Sequence, residues 1–241
     1  MNTLPNKHMK PFTLYRLKDR PVFMMAIAKS GCTYLKHLFY LLDHGENYPS
    51  GNKIHKDQSA LLKATEDDHE TILRTPYKFI VVRDPIARFF SLYFDKIYGQ
   101  GPNAMHWFRA KVGDDIGLRY ERDLGLAGHQ ENALKLAAWL RLNLNGLTVI
   151  ERDFHWRPQA SRYNHVKGYN PEIVLLSELK PKLTGLLSPI IPDIDEKMDS
   201  IPRHNSSQKP CDVSELLSDE LEASLRRTYH SDFKLVQNLS A

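Results

Sequence analysis

The sequence predicts an α/β fold with a parallel central sheet flanked by helices. Continuously apolar runs at residues 21–28 and 79–82 have the length and composition of buried strands, and a β-branched run at 172–176 indicates a third. Segments with helical periodicity separate these runs, and strands that alternate with helices form parallel sheets. A chain of 241 residues can bury one substantial core, so we expect a single domain over residues 1–241.

The first strand leads through a turn into a helix, for which Gly45 is a suitable end. The apolar positions that recur at helical spacing in this segment are Tyr34, Leu35, Leu38, Phe39, Leu41 and Leu42. Residues 48–58 are polar and rich in turn formers. Residues 61–74 are predicted to form a short helix.

The second strand leads into a helix with a clear start signal, because Asp84 offers an N-cap and Pro85 suits the first helical position. An apolar stripe at helical spacing follows, formed by Ile86, Phe89, Phe90, Tyr93 and Ile97. Residues 99–130 show no clear period and are predicted to be a lid or an insertion. A helix is expected over 130–142, a long polar loop over 190–210, and a final helix from the cap Ser218 to Tyr229.

Composition excludes several classes of protein. The net charge of +4 suits a small anionic ligand but is too weak to indicate nucleic-acid binding. No apolar run reaches the ~20 residues of a membrane span, and residues 1–20 lack the apolar core of a secretory signal. Cys32 and Cys211 are too few for a disulfide scaffold and wrongly spaced for zinc. We therefore expect a cytoplasmic protein.

Two turns carry most of the chemical information. The segment K-S-G-C-T at 29–33 follows the first strand, and R-D-P-I-A-R-F-F-S at 83–91 follows the second. Each is predicted to run from strand through a tight turn into a helix start, which directs backbone N–H groups and the positive end of the helix dipole toward an anion. Two such sites indicate a ligand with phosphate-like groups at both ends, such as a bisphosphorylated nucleotide.

The first turn is similar to a nucleotide P-loop but departs from it. A P-loop reads G-x-x-x-x-G-K-[ST], in which the Lys contacts the terminal phosphates and the Ser or Thr holds magnesium. Here Lys29 precedes Gly31, and Cys32 stands where that Lys would be. The turn supplies a cation, hydroxyls and N–H groups without the usual magnesium arrangement. A sulfuryl group carries one negative charge and needs a metal less than a phosphoryl group does, so no metal is expected.

At these residues the chain resembles the sulfotransferases that use 3′-phosphoadenosine 5′-phosphosulfate (PAPS). The turn at 29–33 is similar to their 5′-phosphosulfate loop, and Arg83 with Ser91 is similar to their 3′-phosphate motif. The resemblance extends to the carbohydrate sulfotransferases of the chondroitin 4-O type, through R-D-P-I-A-R-F-F-S-L-Y-F-D-K at 83–96, H-W-R-P-Q at 155–159 and Y-H-S-D-F at 229–233. Their membrane anchor and luminal cysteines have no counterpart here, so we expect a soluble relative of bacterial type.

The resemblance implies a P-loop-like sulfotransferase fold and transfer of a sulfuryl group from PAPS to a hydroxyl acceptor, with a carbohydrate favoured. Residues 99–130 would then shape the choice of acceptor. The implied donor-binding residues are Lys29, Ser30, Gly31, Cys32, Thr33, Tyr34, Arg83 and Ser91. Lys29 would also be catalytic, because a fixed cation at this turn stabilises charge that builds up during transfer.

Transfer to a hydroxyl needs a base, and histidine suits that task near neutral pH. In the related enzymes a His or Glu between the two phosphate motifs has this role, and His55 is the best-placed candidate here. Glu66, His69 and Glu70 remain alternatives. His155 and Trp156 match a family segment that assigns them no role.

Other interpretations stay open at this point. The chain could be an ATP-dependent phosphotransferase that uses magnesium, or a nucleotide-binding module without activity. Arg88 could bind ligand or pair with Asp84 one turn earlier. Lys167 and the segment Arg203, His204, Asn205 and Ser206 are weaker candidates for nucleotide contacts. The sequence specifies neither the acceptor nor the oligomeric state.

Overall fold

The computed structural model describes residues 13–101, 103–202 and 211–239. Contacts divide the chain into two compact units. The first unit comprises Met1–Arg83 and Gln159–Ser206, and the second comprises Asp84–Pro158 and Ser207–Ala241. The expectation of one domain over 1–241 stays a prediction, as does the lid at 99–130.

A four-stranded sheet lies in the first unit. Its strands are β1 (Tyr15–Arg16), β2 (Phe23–Met25), β3 (Lys78–Val82) and β4 (Glu172–Leu175), in the spatial order β1-β2-β3-β4. The pairs β2–β3 and β3–β4 are parallel, with Met24 opposite Phe79 and Ile80 opposite Ile173. This confirms the predicted α/β fold with three parallel strands. The short edge strand β1 was not predicted, and it runs antiparallel to β2.

The helices are α1 (Cys32–His44), α2 (His69–Arg74), α3 (Pro85–Leu92), α4 (His106–Phe108), α5 (Leu126–Leu144), α6 (Gln159–Tyr163), α7 (Leu179–Leu187), α8 (Ile194–Asp199), α9 (Val213–Leu216), α10 (Asp219–Thr228) and α11 (His230–Gln237). Single 3-10 turns occur at Gly51–His55, Glu66–Asp68, Lys167–Tyr169 and Leu176–Glu178. Wider π turns at Tyr93–Ile97 and Arg109–Gly113 follow α3 and α4.

Local end signals placed several helices correctly. Asp84 caps α3 by accepting a hydrogen bond from the Ala87 N–H, and Pro85 is the first helical residue. Gly45 ends α1 in the left-handed region with φ of 75°. Ser218 caps α10 through a bond from the Leu221 N–H.

Other boundaries differ from the prediction. The helix expected at 130–142 spans Leu126–Leu144, and only His69–Arg74 of the segment 61–74 is α-helical. The predicted loop at 190–210 contains α8, and α11 follows α10 where the chain was expected to leave the helical state. The signals for these elements are weak because α8 has only six residues and α11 begins directly after Tyr229.

Each unit has its own hydrophobic core. In the first unit, side chains of β2 and β3 such as Met24 and Val81 pack with Phe39 of α1 and Leu183 of α7. In the second unit, Trp156 is fully buried in a cluster formed by the residues of α3, α5 and α10 that face inward. Among the described residues, no helix is long and apolar enough to cross a membrane. The cytoplasmic location stays a prediction.

A buried charge pair lies inside the second unit. Arg88 and Asp232 are both buried, with 4.0 Å between Nη1 and Oδ2, and the Arg88 Nη2 also donates to the His155 carbonyl at 3.0 Å. The Arg88 side chain thus pairs with Asp232, not with Asp84 as one interpretation of the sequence suggested. This arrangement gives Arg88 a structural role.

Replacing Asp232 with asparagine should destabilise the protein by roughly 3–5 kcal/mol, because it leaves the Arg88 charge buried without its carboxylate. Urea denaturation measures the change. The matched control is Glu131→Gln in the same unit, which removes the solvent-exposed pair with Lys135 and should have little effect. Equal midpoints for the two variants would contradict this account of the buried pair.

Candidate functional site

The two predicted anion-binding turns lie at the same edge of the sheet. Each follows one of the neighbouring parallel strands β2 and β3, and the carboxyl ends of parallel strands form the usual binding edge of an α/β sheet. Arg83, directly after β3, donates from Nη1 to the carbonyl of Lys29 at 3.2 Å. The structure therefore brings together Lys29 and Arg83, which are 54 residues apart.

The backbone of the first turn suits an anion. Lys29 and Gly31 have φ of 67° and 76°, so residues in the left-handed region stand on both sides of Ser30. Alternation of this kind turns successive N–H groups toward one side. Gly31 precedes α1 and supplies no side-chain cap, and the first turn of α1 has no acidic side chain. The N–H groups and dipole at this helix start can therefore serve a negative ligand.

Two positions in this turn have a backbone conformation that most side chains avoid. A side chain at 31 would be strained by the positive φ, and its Cβ would come within 2.7 Å of Leu176 Cδ1. Lys29 adopts the left-handed region although it is not glycine, a conformation that costs of order 1 kcal/mol or more and is concentrated at functional sites. The turn thus keeps a cation at a strained position.

His55, the predicted base, lies at this turn. It ends the 3-10 turn Gly51–His55 and is exposed, and its Nε2 lies 2.8 Å from the Thr33 Oγ1 at the start of α1. The buried His37 of α1 donates from Nε2 to the Gly51 carbonyl at 3.0 Å. That bond fixes the start of the 3-10 turn against α1 and so helps to place His55.

The alternative bases lie in a different segment. His69 Nδ1 is 2.9 Å from the hydroxyl of the buried Tyr169, and Glu70 pairs with Arg74 one turn later on the exposed face of α2. Glu66 is exposed in the 3-10 turn before α2. Of the four candidates, His55 is the one seen in contact with the first turn.

Cys32 and Tyr34 complete the predicted binding segment. Cys32 is half-buried and begins α1. The Tyr34 hydroxyl donates to the Met198 carbonyl at 2.9 Å, and burial together with the nearby Asp199 raises its pKa to about 12. The phenol is therefore neutral at physiological pH and tied to α8, whereas the backbone N–H of Tyr34 belongs to the helix start.

Gln159 is a feature of this site that sequence reasoning missed. Its side chain is fully buried, and its Oε1 accepts from the Ser30 hydroxyl and from the Arg83 N–H, both at 2.8 Å. Its Nε2 donates to the Arg83 carbonyl at 2.8 Å. The motif H-W-R-P-Q marked Gln159 as part of a family segment, but no spacing signal pointed to these partners.

Some predicted residues lie outside this assembly. Ser91 is half-buried on α3 and belongs to the second unit, whereas Arg83 belongs to the first unit. Binding of one phosphate by both residues therefore stays a prediction. Lys167 is exposed in the 3-10 turn Lys167–Tyr169. The segment 203–206 lies outside the described residues.

His155 and Trp156 have structural partners in the second unit. His155 Nδ1 lies 2.7 Å from Asp153 Oδ1. Burial alone would raise the pKa of Asp153, but the hydrogen bonds from His155 outweigh it and lower that pKa. The Trp156 Nε1 donates to the Asn143 Oδ1 at 2.8 Å. These contacts indicate that both residues stabilise their unit.

The site thus consists of a turn whose backbone could serve an anion, with Lys29 in the turn and the His55 imidazole in contact with Thr33. Within the described ranges, no cluster of His, Cys, Asp or Glu side chains could hold a metal ion.

Comparison with known families gives a match to the sulfotransferase family, whose model covers residues 14–236. No curated protein and no solved structure matched the chain. The family match spans both turns and nearly the whole sequence, and it supports sulfuryl transfer as the general activity. The chain belongs to the sulfotransferase family.

Proposed function

We propose that the protein transfers a sulfuryl group from PAPS to a hydroxyl of a carbohydrate, as a relative of the chondroitin 4-O type enzymes. The observation that carries the proposal is the contact between His55 Nε2 and Thr33 Oγ1, because it puts a candidate base at the anion-binding start of α1. The direct bond from Arg83 to the first turn adds a second cation on the same edge of the sheet.

The donor set fits a phosphosulfate chemically. Lys29, the N–H groups at the start of α1 and the helix dipole all favour negative charge, and no acidic side chain in the first turn opposes it. When bound, PAPS supplies the sulfuryl group for transfer. Lys29 stabilises negative charge at the first turn, and the backbone of Gly31, Cys32, Thr33 and Tyr34 contributes hydrogen-bond donors there. The pairing of Arg83 with Ser91 at a 3′-phosphate rests on the family resemblance alone.

His55 is proposed to take the proton of the acceptor hydroxyl at Nε2. The Thr33 hydroxyl lies at hydrogen-bonding distance from this atom, so the nitrogen faces the start of α1, where the sulfuryl group is proposed to bind. An exposed position on a short turn also leaves His55 accessible to an incoming acceptor.

The second unit contains a cavity of about 570 Å³ whose lining is compatible with a carbohydrate. Its lining includes the exposed aromatic side chains of Trp107 and Phe154 together with Lys111, Arg152 and Arg157. Flat aromatic surfaces combined with a few directed polar groups are typical of sites that bind ring-shaped ligands. Glu151 and Asp153 line the same cavity, so polar groups of both charges are available to the hydroxyls of a sugar.

Calorimetry with adenosine 3′,5′-bisphosphate, the desulfated donor, and with ATP tests the donor. The bisphosphate should bind more tightly, because Cys32 replaces the P-loop lysine that an ATP site requires. Arg83→Ala should lower the affinity for the bisphosphate. Lys180→Ala is the matched control, because Lys180 belongs to the same unit and pairs with Asp199 on the surface. Preference for ATP, or turnover that requires magnesium, would instead identify a phosphotransferase.

Transfer of labelled sulfate from PAPS to a panel of hydroxyl compounds tests the reaction itself. We expect transfer to saccharides. Transfer only to phenols or simple alcohols would contradict the carbohydrate acceptor while leaving the donor assignment in place. Tight binding of the bisphosphate by a folded protein that sulfates no acceptor would indicate a binding module without activity.

A further inference from the structure

Gln159 connects both anion-binding turns through one buried amide. Three hydrogen bonds of its side chain reach Ser30 in the first turn and both backbone polar groups of Arg83 in the second. We propose that Gln159 is a positioning residue that holds the two turns in register for a nucleotide with a phosphate at each end. The inference rests on the proposed function, because only such a ligand needs both turns at once.

The amide oxygen of Gln159 is fully used and its nitrogen is also bonded. The amide oxygen has two lone pairs and accepts two bonds, and the side chain is wholly buried. A buried amide without partners would be costly, so the side chain is held in one orientation. A side chain held in one orientation can fix the distance between the two turns.

The pairing with Arg83 extends the sheet. β3 ends at Val82, and its last ladder partner on β4 is Leu175. At the next residue, the Gln159 amide donates to the carbonyl and accepts from the N–H of Arg83, which is what a neighbouring strand would do. Gln159 thereby fixes the backbone from which the Arg83 guanidinium reaches the Lys29 carbonyl.

The bond to Ser30 assigns a different role to that hydroxyl. Ser30 is fully buried and gives its single hydroxyl hydrogen to Gln159. Ionised phosphate and sulfate oxygens only accept hydrogen bonds, so this hydrogen cannot serve Gln159 and the anion together. Ser30 therefore acts by anchoring the turn, and the adjoining backbone N–H groups are the ligand donors.

The test compares two nucleotides on the full-length protein. Calorimetry gives the dissociation constants of adenosine 3′,5′-bisphosphate and adenosine 5′-monophosphate for the unmodified chain and for Gln159→Met, which keeps the length of the side chain. Losing the link should weaken the bisphosphate by about tenfold or more, as expected for the loss of one to two net hydrogen bonds. The monophosphate, which needs one turn, should lose far less.

Asn143→Leu is the matched control. Asn143 is also a buried amide with three side-chain hydrogen bonds, to Trp156, Thr148 and Ile150, but it lies in the core of the second unit. Both variants should lower the melting temperature, and only Gln159→Met should change the ratio of the two affinities. An equal loss for both nucleotides, an unchanged ratio, or the same shift in Asn143→Leu would overturn the proposal.

Ser30→Ala provides a second, smaller perturbation that decides the question if Gln159→Met does not fold. An anchoring role predicts a greater loss for the bisphosphate than for the monophosphate, whereas a direct 5′-phosphate ligand would weaken both equally. If the proposed function itself is wrong, the unmodified protein would bind the bisphosphate weakly or prefer ATP. That result does not depend on any Gln159 or Ser30 variant.

Discussion

Replacing Lys29 with alanine is expected to lower the turnover number for sulfuryl transfer by about 10²–10³-fold, the usual effect of removing one preorganised electrostatic contact from an active site. Lys29 is the cation of the first turn, and its carbonyl is bound by Arg83. Steady-state kinetics with saturating PAPS measures the change. Alanine is the appropriate replacement because it has the same difficulty as lysine at φ of 67°, so the variant removes charge without relaxing the backbone as glycine would.

Lys180→Ala controls for the loss of a positive charge elsewhere in the first unit. Lys180 is exposed and pairs with Asp199, so this variant should retain the unmodified turnover number. Unchanged turnover in Lys29→Ala would remove the proposed source of charge stabilisation. A change confined to the Michaelis constant for PAPS would reassign Lys29 to donor binding alone.

Replacing His55 with alanine is expected to lower turnover by about 10²–10⁴-fold, the range typical of a general base. The rate of the unmodified enzyme should fall at acidic pH, because a protonated imidazole cannot accept the acceptor's proton. The variant should lose that acidic limb of the pH–rate profile. Stopped or continuous transfer assays across the pH range measure both effects.

His69→Ala separates the proposed base from the other histidine candidate. The His69 ring contacts Tyr169, so its removal should leave the acidic limb of the profile in place and change turnover little. If His69→Ala removed the acidic limb and His55→Ala kept it, the assignment of the base would be wrong. Normal donor binding in His55→Ala would show that the variant retains a folded first turn.

Much of the fold followed from local signals. The apolar runs at β2 and β3 and the end signals at Gly45, Asp84 and Pro85 act over a few residues, and the structure confirms them. The same physics explains the omissions. β1 has two residues and α8 only six, so neither shows a period that a sequence pattern can register.

The candidate site was only partly accessible to sequence reasoning. Strand–turn–helix patterns predicted both turns, because each pattern is contiguous in the chain. Gln159 could not be assigned in this way, since its bonds join residues 129 and 76 positions apart and depend on how the sheet assembles. The division of the chain into two units is likewise a property of long-range contacts, and no change in composition marks Arg83 or Gln159 as a boundary.

The link between Gln159 and Arg83 has a consequence for how the chain can vary. Arg83 is where the chain leaves the first unit and Gln159 is where it returns, and the two are bound to each other. The inserted segment 84–158 is therefore closed at its base by the same amide that aligns the nucleotide turns. Because the entropy of closing a loop rises only slowly with its length, insertions in the exposed loops of this segment, away from α3 and Ser91, should be tolerated without moving the turn at 29–33. The hydrogen bonds between Gln159 and Arg83 would thus let acceptor specificity diversify over evolution while the chemistry of the donor stays constant.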